Sequence, residues 1–378
     1  MGVQMHSIVL KIERRSYMKK GLALLLTMGL SVGLVACGGG SSSSSSSSAK
    51  AESSSSSAAS SSSSTSEASS SSSSSSTASA SGLKVGICLP TRDQYWTTFE
   101  GGVVDACEAL GMEVQVVECK EDISTQIGQI ESFKNNGFDA IVIGMPSGDS
   151  YQEVLDAAGD MDVVYFNRKV SDTSCLDGTK AIYVGMAEYD AGYAEGEWLA
   201  DYFAENEPDK TELNGVMFQG ILGQPSVTDR TQGAKDALEE AGYTVTWVFE
   251  DTAEWDRTKA MDKFTQFYGT GKAFDFVCSN NDEMALGVIE ACSTLGVDVS
   301  FPIVGVDATE VGCQAIVDGT LKMTVNQDPI SQGAVVASAL VDMAADEVPA
   351  DCDDEFVIST PAVPVTTDNV EEVAEMYK

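Results

Sequence analysis

Residues 84–118 read KVGICLPTRDQYWTTFEGGVVDACEALGMEVQVVE. Lys84–Leu89 is a short apolar run, Thr98–Leu110 follows with helical periodicity and Gly111 closing it, and Glu113–Val117 is apolar again. A strand, a helix with a left-handed glycine at its end and a second strand make one β-α-β unit. Such a unit brings its two strands parallel, with a right-handed crossover.

The same unit recurs outward along the chain. Helices are expected over Ser124–Asn136 and Tyr151–Ala158, strands over Ala140–Ile143, Val163–Phe166 and Ala181–Val184, and a long helix from Glu188 to Phe203. A second series has strands Val216–Phe218, Val245–Phe249, Phe276–Cys278 and Ile303–Val306, separated by helices Asp229–Ala241, Arg257–Tyr268 and Asp282–Leu295. Strand Leu321–Val325, helix Ser331–Met343 and a final strand near Ala362–Val365 complete it. Two such runs predict an α/β protein of two doubly wound parallel-sheet lobes.

Ahead of this body the chain has another character. Lys19 and Lys20 precede an apolar stretch, Gly21–Ala36, that ends in Leu34-Val-Ala-Cys37. A positive start, a short apolar segment and small residues at a cut describe a signal peptide, too short to span a bilayer comfortably. Leu34–Cys37 resembles a bacterial lipobox, which implies cleavage before Cys37 and a lipid on its thiol. Met18 is an alternative start, and residues 1–17 hold the one histidine, His6. Residues 38–81 are almost all Ser, with nothing to bury, and are expected to be a flexible tether reaching roughly 35–40 Å.

With 58 acidic against 22 basic residues, the net charge of −36 argues against nucleic acid or an anionic membrane surface as partner. Beyond Cys37 the eight cysteines stand singly, with no C-x-x-C pair, so a zinc site is not expected; an exported chain could oxidise some of them, but several fall on expected core strands or helix faces and read as buried thiols, and no disulfide is assigned. Nothing in the chain asks for a cofactor.

Ligands of doubly wound sheets sit beyond the carboxyl ends of the strands, and unusual side chains gather there. The run Asp93-Gln94-Tyr95-Trp96 follows the first strand and Asn167-Arg168 the fourth. Gln224 and Ser226, with Arg230, follow the first strand of the second series. Trp255, Asn281, Asp307 and Gln327 follow later ones. Planar polar groups can each pair with two neighbouring hydroxyls, while indole faces stack on the C–H faces of a sugar ring. Singly, each has a plainer role: Asn281 as a helix cap, Asp307 as a turn residue, either Trp as core.

With these residues the body, Leu83–Val365, resembles the type I periplasmic sugar-binding proteins of ABC importers. It is most similar to the galactose/glucose branch, with ribose-binder features. The segments that carry the resemblance are Asp251–Phe264 (DTAEWDRTKAMDKF), Asn280–Gly287 (NNDEMALG) and Pro302–Ala308 (PIVGVDA). The resemblance implies that Trp96 and Trp255 sandwich a monosaccharide whose hydroxyls bond to Asn167, Arg230, Asn281 and Asp307. The sequence departs from the galactose/glucose pattern at Gln94, where an acid is expected, at Gln224 and Ser226, and at Gln327; Arg168 and Gln327 are ribose-like. Asn206–Gly215 lacks the spacing of a calcium loop, so no metal is expected there.

The resemblance further implies a three-segment hinge at Gly185–Ala187, Asn326–Asp328 and Phe356–Pro361. A first lobe then comprises 82–186 plus about 328–356, and a second 187–327 plus about 357–378. The implied protein is a monomer, lipid-anchored on the outer face of the bacterial cell membrane and serving a permease. A sugar sensor presenting its ligand to a receptor has the same body. A two-carboxylate glycoside hydrolase using Asp256, Asp282 or Asp307 is the enzymatic alternative, and a repressor is opposed by the export signal.

Overall fold

The computed structural model describes residues 80–377; the expected signal peptide, Cys37 and nearly all of the Ser-rich tether lie outside the described residues. In the first lobe, strands β1 (Lys84–Leu89), β2 (Glu113–Glu118), β3 (Ala140–Ile143), β4 (Asp162–Phe166) and β5 (Ala181–Met186) alternate with helices α1 (Gln94–Ala109), α2 (Ile123–Asn135) and α3 (Tyr151–Ala158). Alternate residues of a strand face opposite sides. Val85, Ile87 and Leu89 accordingly face one core, under α1, while Cys88 faces the other with Ile130 and Phe133 of α2.

The second lobe has strands β6 (Glu212–Gln219), β7 (Thr244–Thr252), β8 (Phe276–Ser279) and β9 (Ile303–Val304), with helices α4 (Glu188–Asn206), α5 (Pro225–Glu240), α6 (Arg257–Tyr268), α7 (Asp282–Leu295) and α8 (Glu310–Val317). Its sheet runs β7-β6-β8-β9, all parallel. Val216 and Phe218 of β6 face the α6–α7 side, and Met217 faces the α4–α5 side. The chain is therefore doubly wound twice, as its periodicity predicts.

Three crossings join the lobes. The first runs from Met186 into α4. The second follows β10 (Thr324–Asn326) into α9 (Pro329–Ala344), which packs back on α1 of the first lobe. The third differs from expectation. Residues Val357–Thr360 form strand β11, hydrogen-bonded parallel to β5, so the first sheet has six strands in the order β11-β5-β4-β3-β1-β2. The boundary expected near 357 thus moves past Thr360, and the chain returns to the second lobe only at β12 (Val363–Val365), antiparallel to β10. Helix α8 and strand β11 have no counterpart in the sequence reading.

Each lobe has a seam where two helices touch backbone to backbone. A methyl group on Gly192 of α4 would sit 1.9 Å from the Arg230 carbonyl oxygen of α5, and one on Gly333 of α9 would sit 2.5 Å from the Val103 nitrogen of α1. Gly192→Ala must therefore push α4 and α5 apart, at a cost of about 1–3 kcal/mol. A lowered thermal midpoint is the expected result; an unchanged one would show that the seam yields freely.

All eight cysteines of the described residues are free thiols, six of them fully buried. Burial pushes Cys107 and Cys292 up to about 11, so they behave as small apolar side chains. In Asn206–Gly215 a lysine, Lys210, bonds Asp275 at 2.8 Å and Glu207 at 2.9 Å.

Candidate ligand-binding site

Between the carboxyl ends of the two sheets lies a cavity with about 380 Å³ of empty space, part of it open to solvent at the mouth. Its wall is built by both lobes.

In the first lobe, Asp93 caps α1, its Oδ1 accepting from the Trp96 backbone N–H at 2.9 Å. That cap fixes the first turn and sets Tyr95 and Trp96 into the wall. Trp96 is buried, edge-on to Phe99 and Phe166 at centroid distances of 6.0 and 5.7 Å. Its ring lies over the backbone of Gly144, just past β3, where a Cβ would fall 2.3 Å from the indole. Arg168 stands 5.8 Å from the same ring centroid and bonds Glu121 with both Nη atoms, at 2.6 and 2.7 Å.

The second lobe mirrors this arrangement. Trp255 lies over Gly220, just past β6, where a Cβ would fall 2.1 Å from the indole; its Nε1–H donates to Gln224 Oε1 at 2.9 Å. Arg230 stands 5.7 Å from the Trp255 ring centroid, with Nε donating to Glu188 at 2.6 Å and Nη1 to the Asn280 carbonyl at 2.7 Å. Burial works against the guanidinium charge, yet Glu188 and Asp307 hold it above its ordinary value. Asn281 caps α7 by accepting from Met284 N–H at 3.0 Å, so the capping and lining roles belong to one side chain.

The lobes meet through a relay of planar groups. Gln332 Nε2 donates to Thr360 Oγ1 at 2.7 Å, and Tyr95 O–H donates to Gln332 Oε1 at 2.7 Å. Asn167 Nδ2 donates to both Tyr95 Oη, at 3.0 Å, and Gln327 Oε1, at 3.1 Å. Gln327 Nε2 then donates to Asp307 Oδ1 at 2.5 Å. The relay touches the third crossing at Thr360 and the second at Gln327; Arg230, 3.8 Å from Asp307, extends it to Glu188 at the first. Two further bonds run straight across the mouth, from Gln224 Nε2 to Pro146 O at 3.1 Å and from Val311 N to Gln94 Oε1 at 3.5 Å.

Three lining residues have backbones in the left-handed region: Asn167 (φ 61°), Trp255 (φ 64°) and Asp307 (φ 124°). Asparagine and aspartate tolerate it, but for a tryptophan it costs of order 1–3 kcal/mol and persists only where the surroundings enforce it. Here the bond to Gln224 and the contact on Gly220 do so.

Of the residues singled out in the sequence, Trp96, Asn167, Arg168, Gln224, Ser226, Arg230, Trp255, Asn281, Asp307 and Gln327 line the cavity together. Gln94 does not. As the first residue of α1 it turns to the opposite lobe and bonds Val311. The acidic position expected there is filled by Asp93, one residue earlier; Asp93 and Tyr95 also line the cavity. Loss of surrounding water pushes Asp93 up to about 6, against the pull of the Trp96 N–H and Arg168. Glu188, behind Arg230, was not legible at all.

The chain is 28% identical over 270 residues to the xylitol-binding protein of Mycolicibacterium smegmatis, covering 70% of this chain and 74% of that one. It is 29% identical over 234 residues to the D-galactose/methyl-galactoside binding periplasmic protein of Haemophilus influenzae, covering 60% and 70%. Among solved structures, an ABC transporter solute binding protein from Bacillus halodurans with bound myo-inositol superposes with a TM-score of 0.69 at 26% identity, over 79% of this chain and 99% of that one. These relatives are binders, and like them the chain is a binding protein of ABC-transporter type and not an enzyme. Residues 85–347 match the periplasmic binding protein domain, and the chain belongs to that family.

Proposed function

We propose that this protein captures a monosaccharide or a polyol of similar size between its lobes and delivers it to the permease of an ABC importer. In this reading it works as a monomer, held by a lipid on Cys37 at the outer face of the cell membrane. The observation that carries the proposal is the pair of indoles, one from each lobe, in an interlobe cavity whose remaining wall is mostly planar and polar. A polyol ring is apolar on its faces and polar at its edge, and a wall of two indoles and planar polar groups offers partners for both. The relatives named above, whose names and bound ligand give D-galactose and methyl-galactoside, xylitol and myo-inositol, support a ligand of this class.

Ligand contacts drawn from both lobes favour the closed arrangement, because the open one loses half of them. Isothermal titration against pentoses, hexoses and cyclitols, with Trp fluorescence alongside, is the direct test. One tight ligand is expected, and Trp255→Ala is expected to weaken it by about 2 kcal/mol, roughly thirtyfold in Kd. Equal affinity in the variant would remove the indole from the site, and silence across the panel would remove the sugar. Capture of a sensor receptor instead of a permease by the ligand-bound protein in membrane extracts would overturn the delivery half.

A further inference from the structure

We propose that the mouth of the cleft carries a latch of its own, in which Gln94 of the first lobe and Gln224 of the second each bond the backbone of the opposite lobe, and that Gln94 sets affinity without touching the ligand. The latch goes beyond the reading of the cavity as a polyol site and does not depend on it. The two bonds are reciprocal. Gln224 Nε2 donates across the mouth to the Pro146 carbonyl at 3.1 Å, and Gln94 Oε1 accepts from the Val311 N–H at 3.5 Å. Neither includes a ligand atom, and in both the partner is a main-chain group, present whatever fills the cavity.

Val311 is the second residue of α8, and the first N–H groups of a helix have no acceptor within it. The cap, Thr309, accepts from Gly312 N–H through its Oγ1 at 3.0 Å and from Cys313 N–H through its carbonyl at 2.7 Å. That leaves Val311 N–H, whose one acceptor among the described residues is Gln94. Opening the lobes hands this donor back to water. Gln94 begins α1 directly after its cap, so its backbone is fixed while its side chain reaches across. Gln224 uses both ends of its amide: Oε1 accepts from the Trp255 indole N–H at 2.9 Å while Nε2 holds Pro146. A ring stacked on Trp255 therefore steadies the side chain that closes the mouth. Ligand contacts drawn from both lobes favour closure, so a further bond made only on closure tightens every ligand by one common factor.

The test is Gln94→Met, which removes the acceptor, keeps the reach of the side chain and leaves the cavity wall intact, because Gln94 does not line it. The full chain, wild type and variant, is studied alone and with xylitol, myo-inositol or D-galactose. Without ligand, the variant is expected to have the larger radius of gyration by small-angle scattering, and its Val311 amide to exchange hydrogen roughly threefold faster. Each polyol that binds should dissociate about threefold faster from the variant, with the ratios among their Kd values unchanged. An unchanged radius or exchange rate overturns the latch, and unchanged dissociation overturns its effect on affinity. Unequal losses among the polyols would place Gln94 against the ligand and overturn it too. If none of the three binds, the polyol reading loses its support, while scattering and exchange still decide the latch.

Discussion

Arg230→Met is expected to lower unfolding stability by about 3–5 kcal/mol, the cost of leaving one partner of a buried ion pair uncompensated. Both side chains of the pair are almost wholly enclosed, Arg230 at 4% and Glu188 at 3% exposed. Glu188 Oε1 already lacks a hydrogen-bond partner among the described residues, so losing Arg230 strips the other oxygen too. Adding Glu188→Gln to Arg230→Met should return most of the loss, since it removes the stranded charge and keeps the volume. Urea unfolding of the wild type, both single variants and the double variant gives the coupling directly. A double variant no more stable than Arg230→Met would show that the arginine stabilises through packing on Trp255 and not through charge.

Glu195→Gln is expected to act in the opposite direction, and only at higher pH. Glu195 of α4 points into the α4–β8 interface with no access to water. Its Oε1 accepts from the Cys278 thiol at 3.5 Å, and its Oε2 has no partner among the described residues. Burial pushes this carboxyl up to about 8. Its unfolded value is about 4.3, so between the two the unfolded chain has released a proton that the folded chain still holds. Stability therefore falls as pH rises from about 4.5 to about 8 and levels off beyond. Asp282, pushed up to about 7 by burial, contributes to the slope with the same sign. The glutamine variant should match the wild type near pH 4.5 and exceed it by on the order of 2–5 kcal/mol at pH 9. Chemical denaturation at the two pH values decides; an equal gain at both would assign the effect to packing.

The alternation of apolar runs made the two doubly wound lobes legible, because each strand is short, apolar and followed by a helix with a clear end. Strand β11 was not legible: Val357–Thr360 follows an acidic loop and has no period of its own, and only its pairing with β5 defines it. The cavity was legible because its residues follow strand ends, a topological position that can be read from the chain. The exception is instructive. Gln94 and Asp93 are neighbours, and which of them faces the cleft depends on where α1 begins. Asp93 has the extended backbone of a cap, and Gln94 is already helical. The sequence reading started that helix at Thr98, too late to see the cap. Glu188 and Glu195 look like ordinary acids on a helix, and their partners lie 42 and 83 residues away.

The relay from Thr360 to Asp307 has a thermodynamic consequence. Tyr95, Asn167, Gln327 and Gln332 are each held by bonds within the protein in this arrangement of the lobes. Once the lobes are in this arrangement their rotamers are fixed by the protein itself, so the ligand need immobilise few further side chains, each of which would otherwise cost about 0.5–1.5 kcal/mol. Loosening the relay far from the ligand, at Gln332, should therefore make the entropy of binding less favourable while the direct contacts stay unchanged. Affinity in this protein is partly a property of the bonds it makes with itself.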